Sequence, residues 1–455
     1  MTTQAKAPNE LGTANIGKLL ISYALPAIAA QMTASIYNIV DSIFIGHGVN
    51  NPLALSGLGL TLPLMNLAAA FGALVGAGGA ALLSIKLGQK DKESANRVLG
   101  NVLVLNIIIG LTVMTFGLVF IDPILYLFGA SEQTLPFAKS FMKVILFGNT
   151  ITHLYMGFSC LMRSCGYPKK SMYITLLSVV MNLILAPIFI FVFQWGIAGA
   201  AWATIISQTI SLIVLLFHFT DKTKYLYLQR RYIRLKSDIV KNIISVGMSP
   251  FMQNICSCLV VIVINNLLKS YGGDYAIGAY SNVNKILMMF AMLVIGLNQG
   301  MQPIAGYNFG AKQYDRVIQV LKKAIFYATC TMCFACLVCE LFPEAVCRIF
   351  TDNEEMNNIA TTAMRIIIMT FPIVGFQMVT SNFFQSIGKA IVAAILSTTR
   401  QLLFLLPALL ILPNFFGLNG VWFSMPVSDA ISTILAAFFL RREIKKLKYY
   451  NNNKQ

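Results

Sequence analysis

Leu87-Gly-Gln-Lys-Asp-Lys-Glu-Ser-Ala-Asn-Arg-Val-Leu99 returns 222 residues later as Phe309-Gly-Ala-Lys-Gln-Tyr-Asp-Arg-Val-Ile-Gln-Val-Leu321, with a glycine, a lysine, an acid and a closing Val-Leu in the same places. The same offset lays Ser140-Phe-Met-Lys-Val144 over Thr362-Ala-Met-Arg-Ile366, and residues 159–166 over 381–388. One residue less brings Gly196-Ile-Ala-Gly199 onto Gly417-Leu-Asn-Gly420. Repetition on this scale makes the chain two related halves rather than an array of short units.

What each half contains follows from its apolarity. Of 455 residues, 57% are hydrophobic and 11% charged, a balance that a water-soluble domain carries only by exposing large apolar patches. A helix crosses the hydrocarbon core with ~20 mainly apolar residues. Such runs fall at 17–44, 55–85, 95–121, 134–163, 169–194 and 196–219, and again at 238–268, 276–308, 314–342, 356–386, 388–412 and 416–440. The expected fold is an all-α integral membrane protein of twelve transmembrane helices, six to each half. It divides into an N-terminal lobe over residues 1–220, a linker over 221–237, a C-terminal lobe over 238–440 and a basic tail over 441–455. Six is even, so both halves share one orientation. A parallel repeat about an axis along the membrane normal is the expectation.

The charge fits this layout. Lys and Arg number 34 against 17 acids, a net +17, yet they lie between apolar runs and not on a soluble basic face, which argues against a nucleic-acid partner. Most sit in alternate connections, at Lys86 to Arg97, Arg163 to Lys170, Lys222 to Lys241, Lys312 to Lys323 and Lys389, and in both tails. Short cytoplasmic loops are enriched in these residues, so both termini are expected in the cytoplasm of a multi-pass protein of the plasma membrane. Residues 1–17 are polar and lead into a run too long for a signal-peptide core, so the first span is expected to be retained.

A charge inside hydrocarbon costs roughly 2.5 to 3.5 kcal/mol at a helix centre on insertion scales, so each one is a functional candidate. Asp41 is the deep acid of the first half. Gln31, Ser35, Asn38, Asp41 and Ser42 recur at helical spacing on one face of the first span, with Tyr37 beside them, and that face has to meet protein or water. Desolvation works against the charged form of such a carboxyl, which suits it to take up and release a proton, or Na+, as access alternates. A purely structural acid held by its Asn and Tyr neighbours is the alternative. Ser171, Thr175, Ser178 and Asn182 form a second polar stripe on the fifth span, and Thr204, Ser207, Gln208 and Ser211 a third on the sixth. In the second half Gln253, Asn282, Lys285 and Gln377 are the cavity-lining candidates, and Arg400 with Asp429 reads as a structural ion pair. Cys330, Cys333, Cys336 and Cys339 imitate a metal motif, but at every third position of one helix they drift around its surface and cannot enclose an ion. Nothing in the sequence calls for a cofactor or shows the clustered groups of an enzyme.

With these features in view the chain resembles the multidrug and toxic compound extrusion (MATE) family, closest to its DinF-like or MepA-like branch. The resemblance rests on Ile36-Tyr-Asn-Ile-Val-Asp-Ser-Ile-Phe-Ile-Gly46, Leu161-Met-Arg-Ser-Cys-Gly-Tyr-Pro168, Met181-Asn-Leu-Ile-Leu-Ala-Pro187 and Gly417-Leu-Asn-Gly-Val-Trp422, in that order and spacing across nearly the whole chain. It implies a V-shaped pair of six-helix lobes, antiport of small cationic or amphipathic compounds against H+ or Na+, and no nucleotide hydrolysis. The unit implied is a monomer in lipid. Asp41 matches the family's first-helix acid and Asn182 the Asn of its fifth-helix Asn-x3-Asp-Pro pattern. Ala186 stands where that pattern has Asp, leaving Asp41 as the lone deep acid of its lobe. A lipid or oligosaccharide flippase of the related superfamily is the alternative reading; its phosphate-bearing cargo calls for several basic groups, and Lys285 and Arg400 are those available.

Overall fold

Asp91 and Asn353 show how polar residues punctuate this apolar chain. Each precedes a helix and accepts a hydrogen bond from a backbone N–H of its first turn, Asp91 from Ser94 at 2.9 Å and Asn353 from Met356 at 2.9 Å, with Glu93 or Glu354 and Glu355 following. Oxygen acceptors and negative charge at a helix start satisfy its free N–H groups and its dipole. Beyond such caps the chain runs in long apolar helices, because in lipid every backbone polar group needs a partner within the segment.

A computed structural model describes residues 10–48, 53–348 and 353–453, and these are all-helical. Ten helices are long and apolar enough to cross a membrane, and twelve spans result when each of two bent pairs counts as one. The first span is Ile16–Gly48, the second Leu53–Gly88 and the third Lys92–Val119. The fourth is the bent pair Leu135–Phe147 and Asn149–Ser164. Pro168–Val192 and Gly196–Thr220 are the fifth and sixth. The seventh and eighth, Ser237–Gly273 and Tyr275–Gly310, meet at Gly273, where φ is 66°. Tyr314–Leu341 is the ninth, Glu354–Ile368 with Phe371–Ser386 the bent tenth, Ala390–Phe416 the eleventh and Leu418–Asn452 the twelfth. The last helix continues through the basic residues beyond the apolar run.

The repeat seen in the sequence is also written in the backbone. Lys90 and Lys312 both take left-handed conformations, φ 59° and 56°, in matching turns. Gly166 and Gly388 do so at 95° and 75°, and Gly196 and Gly417 at 56° and 57°. The fourth span bends by 54° at Gly148 and the tenth by 56° at Thr370, which the 222-residue offset superposes. A lysine at positive φ costs ~1 kcal/mol or more; finding it at both related turns marks the turn geometry as a shared feature.

The halves meet along the first and second spans of one and the seventh and eighth of the other. A Cβ placed on Gly88 would collide with the Tyr307 carbonyl, one on Gly310 with the Ile85 carbonyl, and one on Gly247 with the Leu74 carbonyl. Gln302 adds a hydrogen bond to the Ala77 carbonyl at 3.2 Å. Backbones this close pack by dispersion where the hydrophobic effect gives little, as small residues permit between helices in lipid. Two straps reinforce the end of the molecule that carries the termini. The short helix Glu10–Thr13 is held to the second half by Arg316, which donates to the carbonyls of Leu11 at 3.2 Å and Ala14 at 2.7 Å, and by Asn308, which donates to Leu11 at 2.9 Å. The linker lies on the third span, where Asn96 accepts from Tyr227 N–H at 3.2 Å and Asn101 from Lys236 N–H at 2.9 Å.

Candidate functional site

The Thr204 hydroxyl is the hub of a buried polar cluster in the first half. On the sixth span it donates to the Ala200 carbonyl one turn back, at 3.1 Å. That leaves its oxygen free to accept, and two groups reach it at 3.1 Å: the Tyr37 hydroxyl from the first span and the Asn182 amide from the fifth. With one hydrogen and two lone pairs, a threonine hydroxyl can do no more. Three spans are thereby tied at one oxygen.

Asp41 lies one helical turn beyond Tyr37 on the first span. Its Oδ1 is buried and has no hydrogen-bond partner among the described residues, and the same holds for Oδ1 of Asn182. Buried acceptor oxygens of this kind call for a partner in a low-dielectric interior. Ala186, one turn past Asn182, is fully buried and apolar, so the fifth span offers no second carboxylate there.

Other candidates fall into three groups. Ser178 is buried on the fifth span and, with Thr175, faces Tyr155 of the fourth; Gln208 accepts from Thr152 at 2.6 Å on the neighbouring face. Gln31 points across the seam to the sulfur of Met292, at 3.9 Å. In the second half Asn282 and Gln377 are buried, the latter donating to the Leu396 carbonyl at 3.4 Å, while Gln253 and Lys285 occupy exposed positions. The side chain of Asn38 lies outside the described residues. Arg400 and Asp429 do pair, Nε to Oδ1 at 2.7 Å. Cys330 and Cys333 are exposed while Cys339 is buried, the drift around the helix that their spacing dictates.

A cavity of about 570 Å³ between the second, third and fourth spans is lined by apolar side chains such as Leu64, Phe71, Ile109 and Phe116. It is separate from the polar cluster and carries no group that could bind an ion. Thr204 belongs to a stripe legible in the sequence, but its central place was not, and Tyr155 gave no signal: an aromatic in an apolar span acquires polar meaning only from what folds against it.

The family model named MatE matches this chain twice, over residues 26–188 and 246–410. The chain belongs to the MatE family. The two matches cover corresponding parts of the two halves. Among curated relatives, the multidrug export protein MepA of Staphylococcus haemolyticus (strain JCSC1435) is 26% identical over 430 residues, covering 94% of this chain and 93% of that protein. MepA of Staphylococcus aureus (strain MSSA476) is 25% identical over 427 residues, covering 93% and 94%. The MepA-like branch expected from the sequence is thus borne out. A crystal structure of MATE in the bent conformation superposes with a TM-score of 0.92 at 23% identity, covering 98% of this chain and 99% of that one. An outward-facing multidrug resistance MATE family transporter of the MOP superfamily gives the same score, identity and coverage. These neighbours fix the fold as that of MatE-family membrane transporters.

Proposed function

We propose that this chain is a secondary active exporter that moves small cationic or amphipathic compounds across the plasma membrane in exchange for H+ or Na+, with Asp41 as the ion-binding group and Asn182 beside it. The observation that carries the reading is the buried Oδ1 of Asp41, without a hydrogen-bond partner among the described residues and one helical turn from Tyr37, which bonds to the Thr204 hub. A buried acid with no ion-pair partner among the described residues binds its ion reversibly, since nothing fixed competes for the oxygen. Membership of a transporter family and the similarity to proteins named as multidrug exporters support the cargo class. No nucleotide and no cofactor enter this scheme.

The distribution of Lys and Arg supports cytoplasmic termini, so the glycine seam and both straps would close the cytoplasmic side. The flippase alternative is weaker, because phosphate-bearing cargo calls for several basic groups together and Arg400 keeps only one edge clear of Asp429. The test uses the full chain in liposomes with ethidium as cargo and a pH or Na+ gradient imposed in turn. Wild type should move ethidium with one of the two gradients, and Asp41→Asn, folded by gel filtration, should lose at least 90% of that rate, about tenfold. Undiminished gradient-driven transport by Asp41→Asn would remove the assignment.

A further inference from the structure

Arg400 occupies the place that Ser178 holds 222 residues earlier, and Asp429 the place that Gln208 holds 221 residues earlier. Two neutral positions of the first half, whose side chains meet Tyr155 and Thr152 respectively, correspond to a charged pair in the second. Asp429 accepts from Arg400 Nε at 2.7 Å and from the Thr370 hydroxyl at 3.4 Å, at the bend of the tenth span. The next residue, Gln401, donates to Ser257 of the seventh span at 2.8 Å. These contacts put the guanidinium among the tenth, eleventh and twelfth spans, with Gln401 tying the same turn of the eleventh to the seventh.

Only one corner of the guanidinium is used. Its Nη1 and Nη2 have no hydrogen-bond partner among the described residues, and 30% of the side chain remains accessible, against 8% for Asp429. Guanidinium presents five N–H groups in a planar fork that matches a carboxylate in bidentate fashion. A mere brace does not require this charge: in the first half Thr152 and Gln208 tie the matching bend with neutral groups at 2.6 Å. Ion pairs inside hydrocarbon are costly, so a charged pair at positions that are neutral in the first half calls for a role that the first half lacks.

We propose that the open Nη edge of Arg400 receives the carboxylate of an amphipathic zwitterion, making Arg400 a cargo-selecting residue in the second half while Asp41 handles the ion in the first. This deepens the export reading and rests on it. Asp429 holds the fork in place and keeps its Nε side occupied, so that cargo meets the other edge.

Rhodamine 110, with a free carboxyl, and rhodamine 123, its methyl ester, differ at that one group. Binding of each to the purified full chain in nanodiscs is read by fluorescence polarisation. Wild type should favour rhodamine 110, and Arg400→Gln with Asp429→Asn, which removes both charges together, should cut that preference about tenfold with rhodamine 123 changed less than about twofold. Arg400→Lys keeps the charge without the fork and should fall between, which secures the test if the double variant does not fold. Equal losses for both dyes, or an unchanged preference, would mean a brace only and overturn the proposal. Wild type binding the ester alone would overturn it and leave the export reading standing; binding of neither dye would remove both.

Discussion

Thr204 concentrates on one oxygen what the first half needs to stay together around its acid. Replacing it by Val keeps the shape and removes the acceptor, so the Tyr37 hydroxyl and the Asn182 amide both lose a partner in a dry interior. A buried donor left unpaired costs about 1–3 kcal/mol, although partners found elsewhere in lipid reduce such losses to nearer 0.6 kcal/mol. Thr204→Val should lower the thermal midpoint in detergent and slow transport, whereas Thr204→Ser, which keeps the hydroxyl, should stay near wild type in both. Asp41 was legible in the sequence because an acid in an apolar run has few innocent explanations. That its Oδ1 has no hydrogen-bond partner among the described residues was not, since that depends on which groups of other spans come near.

At the scale of the element, caps and bends decide where helices stop and turn. Asp91 accepts from Ser94 at the head of the third span, and this bond, with the charge of Lys86, holds its carboxyl below the usual aspartate range. A carboxyl lowered in the folded protein stabilises it fully above the ordinary value of ~3.9, and the contribution disappears as pH falls through the lower folded value. Asp91→Ala should therefore cost about 1 kcal/mol at neutral pH, measured by thermal unfolding, and the gap between variant and wild type should close on acidification below ~4. The twelve apolar runs were readable from composition and length alone. The bends in the fourth and tenth spans were not, because they have different local causes at matching places. Pro372 starts the second segment of the tenth span with no N–H to give. Gly148 has no proline; a Cβ there would run into Ile205 of the sixth span, so the break follows from close packing that no local pattern announces.

For the whole molecule, the glycine seam holds the two halves together, and under the proposed export cycle it is one of two states to be visited. Gly247 abuts the Leu74 carbonyl with no room for a methyl group. Gly247→Ala should force the seam apart, and spin labels on the second and seventh spans should report a longer, broader distance at the end that carries the termini; an unaltered distribution would show that the seam yields without opening. The two related halves were legible from the 222-residue offset, and their mutual packing was foreshadowed by glycines without being located by them.

The strap formed by Leu11, Ala14, Asn308 and Arg316 also has a bearing on biogenesis. Its two sides are about 300 residues apart in the chain. While the ribosome is still inserting the first six spans, the opening residues have nothing to fasten to, and the face of the second span that will adjoin Tyr307 is bare. The clasp can close only once Arg316, at the head of the ninth span, has emerged, so the two halves are fastened at this end after the first bundle is made and before the second is complete.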